Sequence, residues 1–546
     1  MSVVTVTVLS AGSAVDPAFA LRSVDIRREL GRVPTAMLVY VDGDAASQTF
    51  PVSDSGAFNP GTEIQIKARY EGEPGPEKVL FNGLVVRHAI EADRQGSHLR
   101  IELRDAAVKL TAPRRSAVFE QMSDSDVIQK LVAAAGLRST VASTPFKHPS
   151  LVQYDCSDWD FVLARAEANG LLLAVNDGVL TLATPPAGGL AAVTIHYGID
   201  SIFSLEFETD ALGQTGAVHT QGWDVQNQAA LQATGKPPAR PGQGPLSSAA
   251  AAKTLGYGDT TLVHPAATSQ EELKAWADAQ GQRASLGLVR GRACLAGNGA
   301  LALLQVAQID GVARCFQGKA LITGLCHRID AGGWQTDLQF GLAARPAHAQ
   351  PGFGSPASAG LLPAMAGLHI GIVASVADDP DGQYRVKVTL PGLPDTAQGL
   401  WARQALPDAG NKRGWVFRPE PGDEVVLGFF NQDPRQPVIL GSLFGSKNTP
   451  PAAIVDASDK NLRRGLVSKK GITIGLVDDD KAQLYLQTPG KNKILLDDDG
   501  QLIELSDQHG NKITLDKNGI TLVSAKDFKV DASANVEIKG SKVDLK

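Results

Sequence analysis

Asp158 and Asp160, two residues apart, are the pair that comes nearest to the two carboxylates of a glycoside hydrolase. They stand at the start of SDWDFVLARAEANGLLL (157–173), where acidic residues in a first helical turn complement the helix dipole and cap free amides. Capping is the simpler reading. His88 and His327 are scattered candidates for proton transfer. Cys326 and His327 are neighbours, as a metal-ligand couple would be, but they lie in LITGLCHRI (321–329). Its alternation reads as a strand, which sends adjacent side chains to opposite faces. Cys156, Cys294, Cys315 and Cys326 include no CxxC pair, so they are expected to be buried free thiols rather than a zinc or redox site. The glycines of GYGD (256–259) and AGNGA (296–300) fit turns and match no phosphate-cradling motif. Asp478–Asp480 and Asp497–Asp499 would bind calcium only if several chains brought them together; without EF-hand spacing they read as solvated turns. No catalytic residue, cofactor or metal site is expected.

The elements that carry these residues are mainly strands, with some helix. VVTVTVL (3–9), AMLVYV (36–41), TEIQIKARY (62–70), KVLFNGLVVRHAIEAD (78–93) and HLRIELRD (98–105) read as strands. GALALLQVAQIDG (299–311) and residues 319–342 read the same way. Helices are expected over 123–137, 157–173 and 271–285, the first two opened by Ser or Asp caps and closed near Gly136 and Gly170. Across 546 residues, 52 Lys and Arg face 58 Asp and Glu, for a net charge of −6, so no general nucleic-acid binder is indicated. No apolar run approaches the ~20 residues that span a bilayer, and MSVVTVTVLSAGSAVDPAF lacks the positive start of a signal peptide. The expectation is synthesis in the cytoplasm without export through a signal peptide.

Texture divides the chain into a mixed region (1–345), an Ala/Pro/Gly/Ser-rich linker (346–367), a β-rich block (368–445), a polar connector (446–468) and a repetitive tail (469–546). The tail carries seven apolar pairs: Ile494/Leu496, Ile503/Leu505, Ile513/Leu515, Ile520/Leu522, Phe528/Val530, Val536/Ile538 and Val543/Leu545. Successive pairs are 9, 10, 7, 8, 8 and 7 residues apart, and glycines fall in several of the breaks. Each i, i+2 pair shares one face of a short strand. Regular short strands of this kind read as a β-helix. A lone chain would leave the apolar side and the strand edges open, so the expected form is an intertwined trimeric β-helix with the fourteen side chains at its core and many parallel strand contacts.

In the β-rich block, GQYRVKVTLPG (382–392), Trp401-Ala402-Arg403, Pro419-Glu420-Pro421-Gly422-Asp423-Glu424-Val425 and the run from Asp433-Pro434 to Pro437-Val438-Ile439-Leu440-Gly441-Ser442 are similar to the OB-fold domain of VgrG-type spike proteins. These are the spikes of type VI secretion systems, extracellular contractile injection systems and contractile phage tails. YDCSDWDFVLARAEANGLLL and FQGKALITGLCHRIDAGGWQTDLQFGL resemble the hub of the same family, and the repeat tail stands where the family has its needle.

The resemblance implies a fold, a role and partners. The fold is a barrel-like hub with helices and two related subdomains (1–345), an OB-fold collar (368–445) and a β-helical needle (469–546). The role is a non-enzymatic homotrimeric spike that docks on the inner tube protein and baseplate proteins and touches a target membrane transiently as it pierces. Val543, Asp544, Leu545 and Lys546 would seat a PAAR-type tip protein, and effector cargo is a further implied partner. After assembly the spike would be extracellular or delivered into the target. The connector is too short for a lysozyme-type domain, and the chain ends directly after the last repeat. GSKVDLK has no histidine for an apical iron site. Whether the apparatus is a type VI system or a released particle is open at this stage, with a lean toward the latter. Two competing classes are a cell-wall hydrolase with its site in the hub and a carbohydrate-binding trimeric adhesin.

Overall fold

The computed structural model describes residues 3–546 except 73, 95, 145, 225–226, 237–239, 268, 344–345, 350–351, 355–356, 358–361, 363, 392–398 and 457. Nine of the 22 residues of the linker expected over 346–367 therefore lie outside the described residues, as does Gly392. The chain divides into two compact units, 1–356 and 357–546.

Alternation builds the first unit. In Leu21–Glu29, Thr35–Val41, Glu63–Tyr70 and Gly96–Arg104, every second residue turns inward. Val24, Ile26, Leu38, Tyr40, Ile64, Ile66, Leu99, Ile101 and Leu103 close into one core with Phe58 and Phe81. These strands belong to a 13-stranded sheet that also takes in Ile202–Thr209, Val289–Ala296, Gly318–Asp330 and Gly333–Phe340. The join is antiparallel, Gly324 to Ile329 against Glu29 to Val24. A second core of Ile195, Ile309, Ile322, Leu325, Leu338 and Phe340 fills the later half.

Between the two halves the chain leaves the sheet to make helices, and serines set their starts. Ser123 Oγ accepts the Asp126 N–H and the Asp126 carboxylate accepts the Ser123 N–H, a capping box that opens Asp124–Ala134. Ser157 caps Asp158–Ala168 and Ser269 caps Gln270–Leu286. Gly136 and Gly170, at φ of 73° and 67°, end the first two in the left-handed region where a Cβ is unfavourable. A further helix, Ser248–Thr254, has no counterpart among the sequence expectations. Conversely, 299–311 yields a strand only at Val306–Asp310. Upstream, the Asn298 and Gln305 side chains accept the Ala300 and Ala302 N–H groups, so local side-chain bonds replace the ladder.

In the second unit, His369–Ser375, Val386–Thr389, Leu400–Gln404, Pro437–Ser442 and Glu424–Phe429 form, in that order, a closed five-stranded barrel. Val373, Val386, Val388, Ala402, Val425, Leu427 and Ile439 fill it. The tail follows as a seven-stranded sheet: Arg463–Val467, Thr473–Val477, Gln483–Gln487, Lys493–Asp497, Leu502–Ser506, Lys512–Asp516 and Gly519–Val523. Each strand pairs antiparallel with the next. This corrects the expectation of parallel contacts within the tail: connections of a few residues permit only antiparallel neighbours, because a parallel crossover needs a dozen or more.

Candidate functional site: the open apolar face of the tail

Strand periodicity places four of the tail's seven predicted apolar pairs, Ile494/Leu496 to Ile520/Leu522, on one side, and register stacks them. Ile494 lies opposite Leu505 and Leu496 opposite Ile503; Ile503 then meets Leu515, Leu505 meets Ile513, Ile513 meets Leu522 and Leu515 meets Ile520. The row begins earlier than residue 494. Leu466, Ile474, Leu476, Leu484 and Leu486 continue it upstream through the first three strands. The alternation in TIGLV and LYL carries that signal, although 494 is where the pairs become evenly spaced. The eight predicted side chains from Ile494 to Leu522 range from 36% exposed at Ile513 to 71% at Ile520. Phe528, Val530, Val536, Ile538, Val543 and Leu545 lie past the last strand and are also exposed, together with Asp544 and Lys546.

The opposite side is the better covered one. Its central row runs Gly475, Tyr485, Leu495, Glu504, Thr514, Thr521. Leu495 and Thr514 are buried. The Tyr485 ring lies across Gly475, where an added Cβ would come within 2.2 Å of a ring carbon. Lys493 sits 5.9 Å from the Tyr485 ring centroid, a cation–π distance. Lys512 Nζ lies 2.8 Å from Glu504, and that hydrogen bond holds the Glu504 carboxyl below the usual carboxylate range. A sheet with one wet face normally turns its apolar side inward. Here the opposite side is covered and pairs Glu504 with Lys512, although the buried Thr514 Oγ1 finds no hydrogen-bond partner among the described residues, and the apolar side is open, which is the form of an association surface.

The aspartate runs sit in the turns. Asp497 accepts the Gly500 N–H and the Gln483 amide, Asp499 pairs with Lys481, Asp478 pairs with Arg464, and Asp479 accepts the Lys481 N–H.

The hub candidates are each held in structural roles. Asp158 is buried at the start of its helix, accepting from Gln153 Nε2 at 2.9 Å and pairing with Arg115 at 3.4 Å. Asp160 gives its backbone N–H to the Ser157 cap. His88 Nδ1 lies 3.1 Å from the Phe58 carbonyl. His327 is buried with Nδ1 2.9 Å from Thr336 Oγ1; burial, reinforced by the Arg28 charge, pushes its pKa down to about 4. Its neighbour Cys326 is pushed up to about 11 by burial and by Asp25. The cysteines correct one expectation: Cys315 is exposed and the other three are half-buried.

Sequence reading missed a buried cluster of charge between the helices. Asp124 accepts from Arg165 Nε at 2.6 Å, from Arg165 Nη2 and His148 Nε2 at 3.0 Å, and from Asn169 Nδ2 at 2.9 Å. Burial opposes the Asp124 charge, but these donors outweigh it and hold the carboxyl below its ordinary value. Arg165 also reaches Glu272 on the later helix. Exposed aromatics on the barrel were missed too. Lys387 and Arg385 lie over Trp401 at 5.6 and 5.9 Å, and exposed Trp415 and Phe417 meet edge to face.

The hub sheet, the five-stranded barrel and the open-faced tail each fall largely in a stretch that matches a known domain. Residues 1–331 match the Alg8 N-terminal domain, and this chain belongs to that family. Residues 369–444 match the type VI secretion system/phage-baseplate injector OB domain, and 483–545 the phage baseplate V C-terminal trimerisation domain. Over 88 residues, 15% of this chain, it is 35% identical to the type VI secretion system spike protein VgrG3 of Vibrio cholerae and 32% identical to the actin cross-linking toxin VgrG1 of that species. The matches span only 9% and 8% of those relatives' lengths. Among solved structures, a tail protein of prophage MuSo2 from Shewanella oneidensis is 12% identical, with a TM-score of 0.45, over 62% of this chain and 98% of that one. The Francisella PdpA-VgrG complex is 9% identical, with a TM-score of 0.42, over 95% and 87%.

Proposed function

We propose that the protein is a non-enzymatic, homotrimeric spike at the tip of a contractile injection apparatus. The observation that carries this reading is the open apolar face of the tail, within residues that match a trimerisation domain. Three such faces turned toward one axis remove the fourteen predicted core side chains from water, and the closed prism that results is narrow and stiff. The hub docks on the inner tube and baseplate, and the barrel serves as a collar. Residues 543–546 seat a PAAR-type tip protein, and effector cargo travels with the spike. The sheath supplies the force; the spike transmits it into the target envelope. The chain is made in the cytoplasm and leaves the cell only within the assembled particle or on delivery.

The test is the mass of the purified chain by light scattering. The expected value is about three times the 57.3 kDa of one chain. Ile513→Asp places three carboxylates near one axis without partners, and trimer should be lost. A folded wild-type monomer at all concentrations, or an Ile513→Asp trimer of unchanged yield, overturns the reading.

A further inference from the structure

Because the tail is a meander, its turns alternate between two flanks, and the charges sort with them. One flank holds the turns and strand ends 478–482, 497–501 and 516–518, with seven aspartates and two lysines. The other holds 468–472, 488–493 and 506–512, with Lys469, Lys470, Lys491, Lys493 and Lys512 against the single aspartate Asp507. That aspartate is committed to its own turn, where it accepts the His509 and Asn511 N–H groups and the Asn511 amide. Arg463 and Arg464, at the start of the first strand, lie on the acidic flank beside Asp478; from the second strand onward the turns are mainly acidic along one side and mainly basic along the other. Part of this charge is paired within the chain, Asp478 with Arg464, Asp499 with Lys481, Lys469 with Glu420 and Lys512 with Glu504, whereas Asp480, Asp498, Lys470 and Lys491 have no ion-pair partner among the described residues and are left to meet charge of opposite sign from outside.

A threefold axis along the strand stack supplies that partner. Rotation about such an axis brings the left flank of one copy to the right flank of the next at all three corners, a heterologous contact that closes on itself. We infer that in the trimer the acidic flank of each tail, centred on Asp478–Asp480 and Asp497–Asp499, faces the basic flank of the neighbouring copy, centred on Lys469, Lys470, Lys491 and Lys493. The inference rests on the trimeric reading above and adds what fixes the relative direction of the three copies. Burial of the apolar faces supplies the affinity without regard to register. The charged corners steer encounter and disfavour inverted pairings, which set like flanks together.

The experiment uses the full chain and charge reversal at exposed positions. The acidic-flank variant is Asp480→Lys/Asp498→Lys, the basic-flank variant is Lys470→Glu/Lys491→Glu, and a third chain carries all four changes. Trimer formation is followed by light scattering after dilution from denaturant, at low and at 1 M salt. Each single-flank variant should associate at least tenfold more slowly than wild type at low salt, with the gap closing at 1 M as charges are screened. The four-change chain, whose flanks come to five aspartates against four lysines and three lysines against three acids, has almost no net charge left at the corners and should associate at a rate that hardly changes between low and 1 M salt. Wild-type rates in both single-flank variants, or a four-change chain that keeps the wild-type salt dependence, overturn the flank pairing while leaving trimerisation standing. A wild-type chain that stays monomeric at every salt concentration overturns the trimer itself.

Discussion

Gly475 and Tyr485 show how single residues tune the tail. The ring occupies the space a Cβ would need, so Gly475→Ala should cost about 1–3 kcal/mol by overpacking. Much of that loss should vanish in a Tyr485→Ser background, and a double-mutant cycle on thermal unfolding measures the coupling. In the hub, His327 gives a pH dependence of definite sign. Its folded pKa of about 4 lies below the unfolded value of about 6.5. The unfolded chain therefore takes up a proton that the folded hub refuses, and stability present above pH 6.5 falls by about 3 kcal/mol as pH drops toward 4. Urea unfolding at pH 7 and pH 4.5 tests this: His327→Asn should lose less stability over the interval than wild type. Equal losses would mean that His327 titrates freely.

At the scale of elements, local chemistry was legible and distant chemistry was not. The helices at 124, 158 and 270 announce themselves through a serine cap, an acidic first turn and, for two of them, a glycine stop, all within a few residues. The Ser248–Thr254 helix has an alanine run with no apolar period, so nothing in its pattern separates it from a loop. Tail pairing was legible for the four pairs from Ile494 to Leu522, because period two fixes the face and the breaks mark the turns, whereas the three pairs from Phe528 on form no strand in the single chain. The direction of its neighbours was misjudged because the β-helix image overrode the short connections. The Asp124 cluster left no trace in spacing, since Asp124, His148 and Arg165 come from two helices and a strand that meet only on folding. Asp124→Ala leaves the half-buried Arg165 with Glu272 alone among the described residues as its ion-pair partner and removes the acceptor of three side chains. It should destabilise the first unit by about 3–5 kcal/mol. Ser123→Ala, which removes one cap, should cost about 1 kcal/mol. Denaturant midpoints of the two variants should differ in that order.

For the whole molecule, the class was readable from the barrel's motif order and the tail's repeat, because both are dictated by turns and alternation rather than by remote contacts. What one chain cannot display is its partnership. If three copies share the tail face, the folded trimer is stabilised by mass action, and the tail's melting temperature should rise with protein concentration. A transition that stays fixed over a hundredfold range of concentration would argue for tails that stand alone. The meander also bears on the order of events in time. Its contacts join residues close in sequence, so its contact order is low and each ribbon can zip on its own thread before it meets a sister. Refolding should then show a rapid unimolecular phase followed by a slower one that quickens with concentration. Between the two, the greasy side of every ribbon is bare, and that interval is when the nascent spike is most exposed to clumping and most in need of a chaperone.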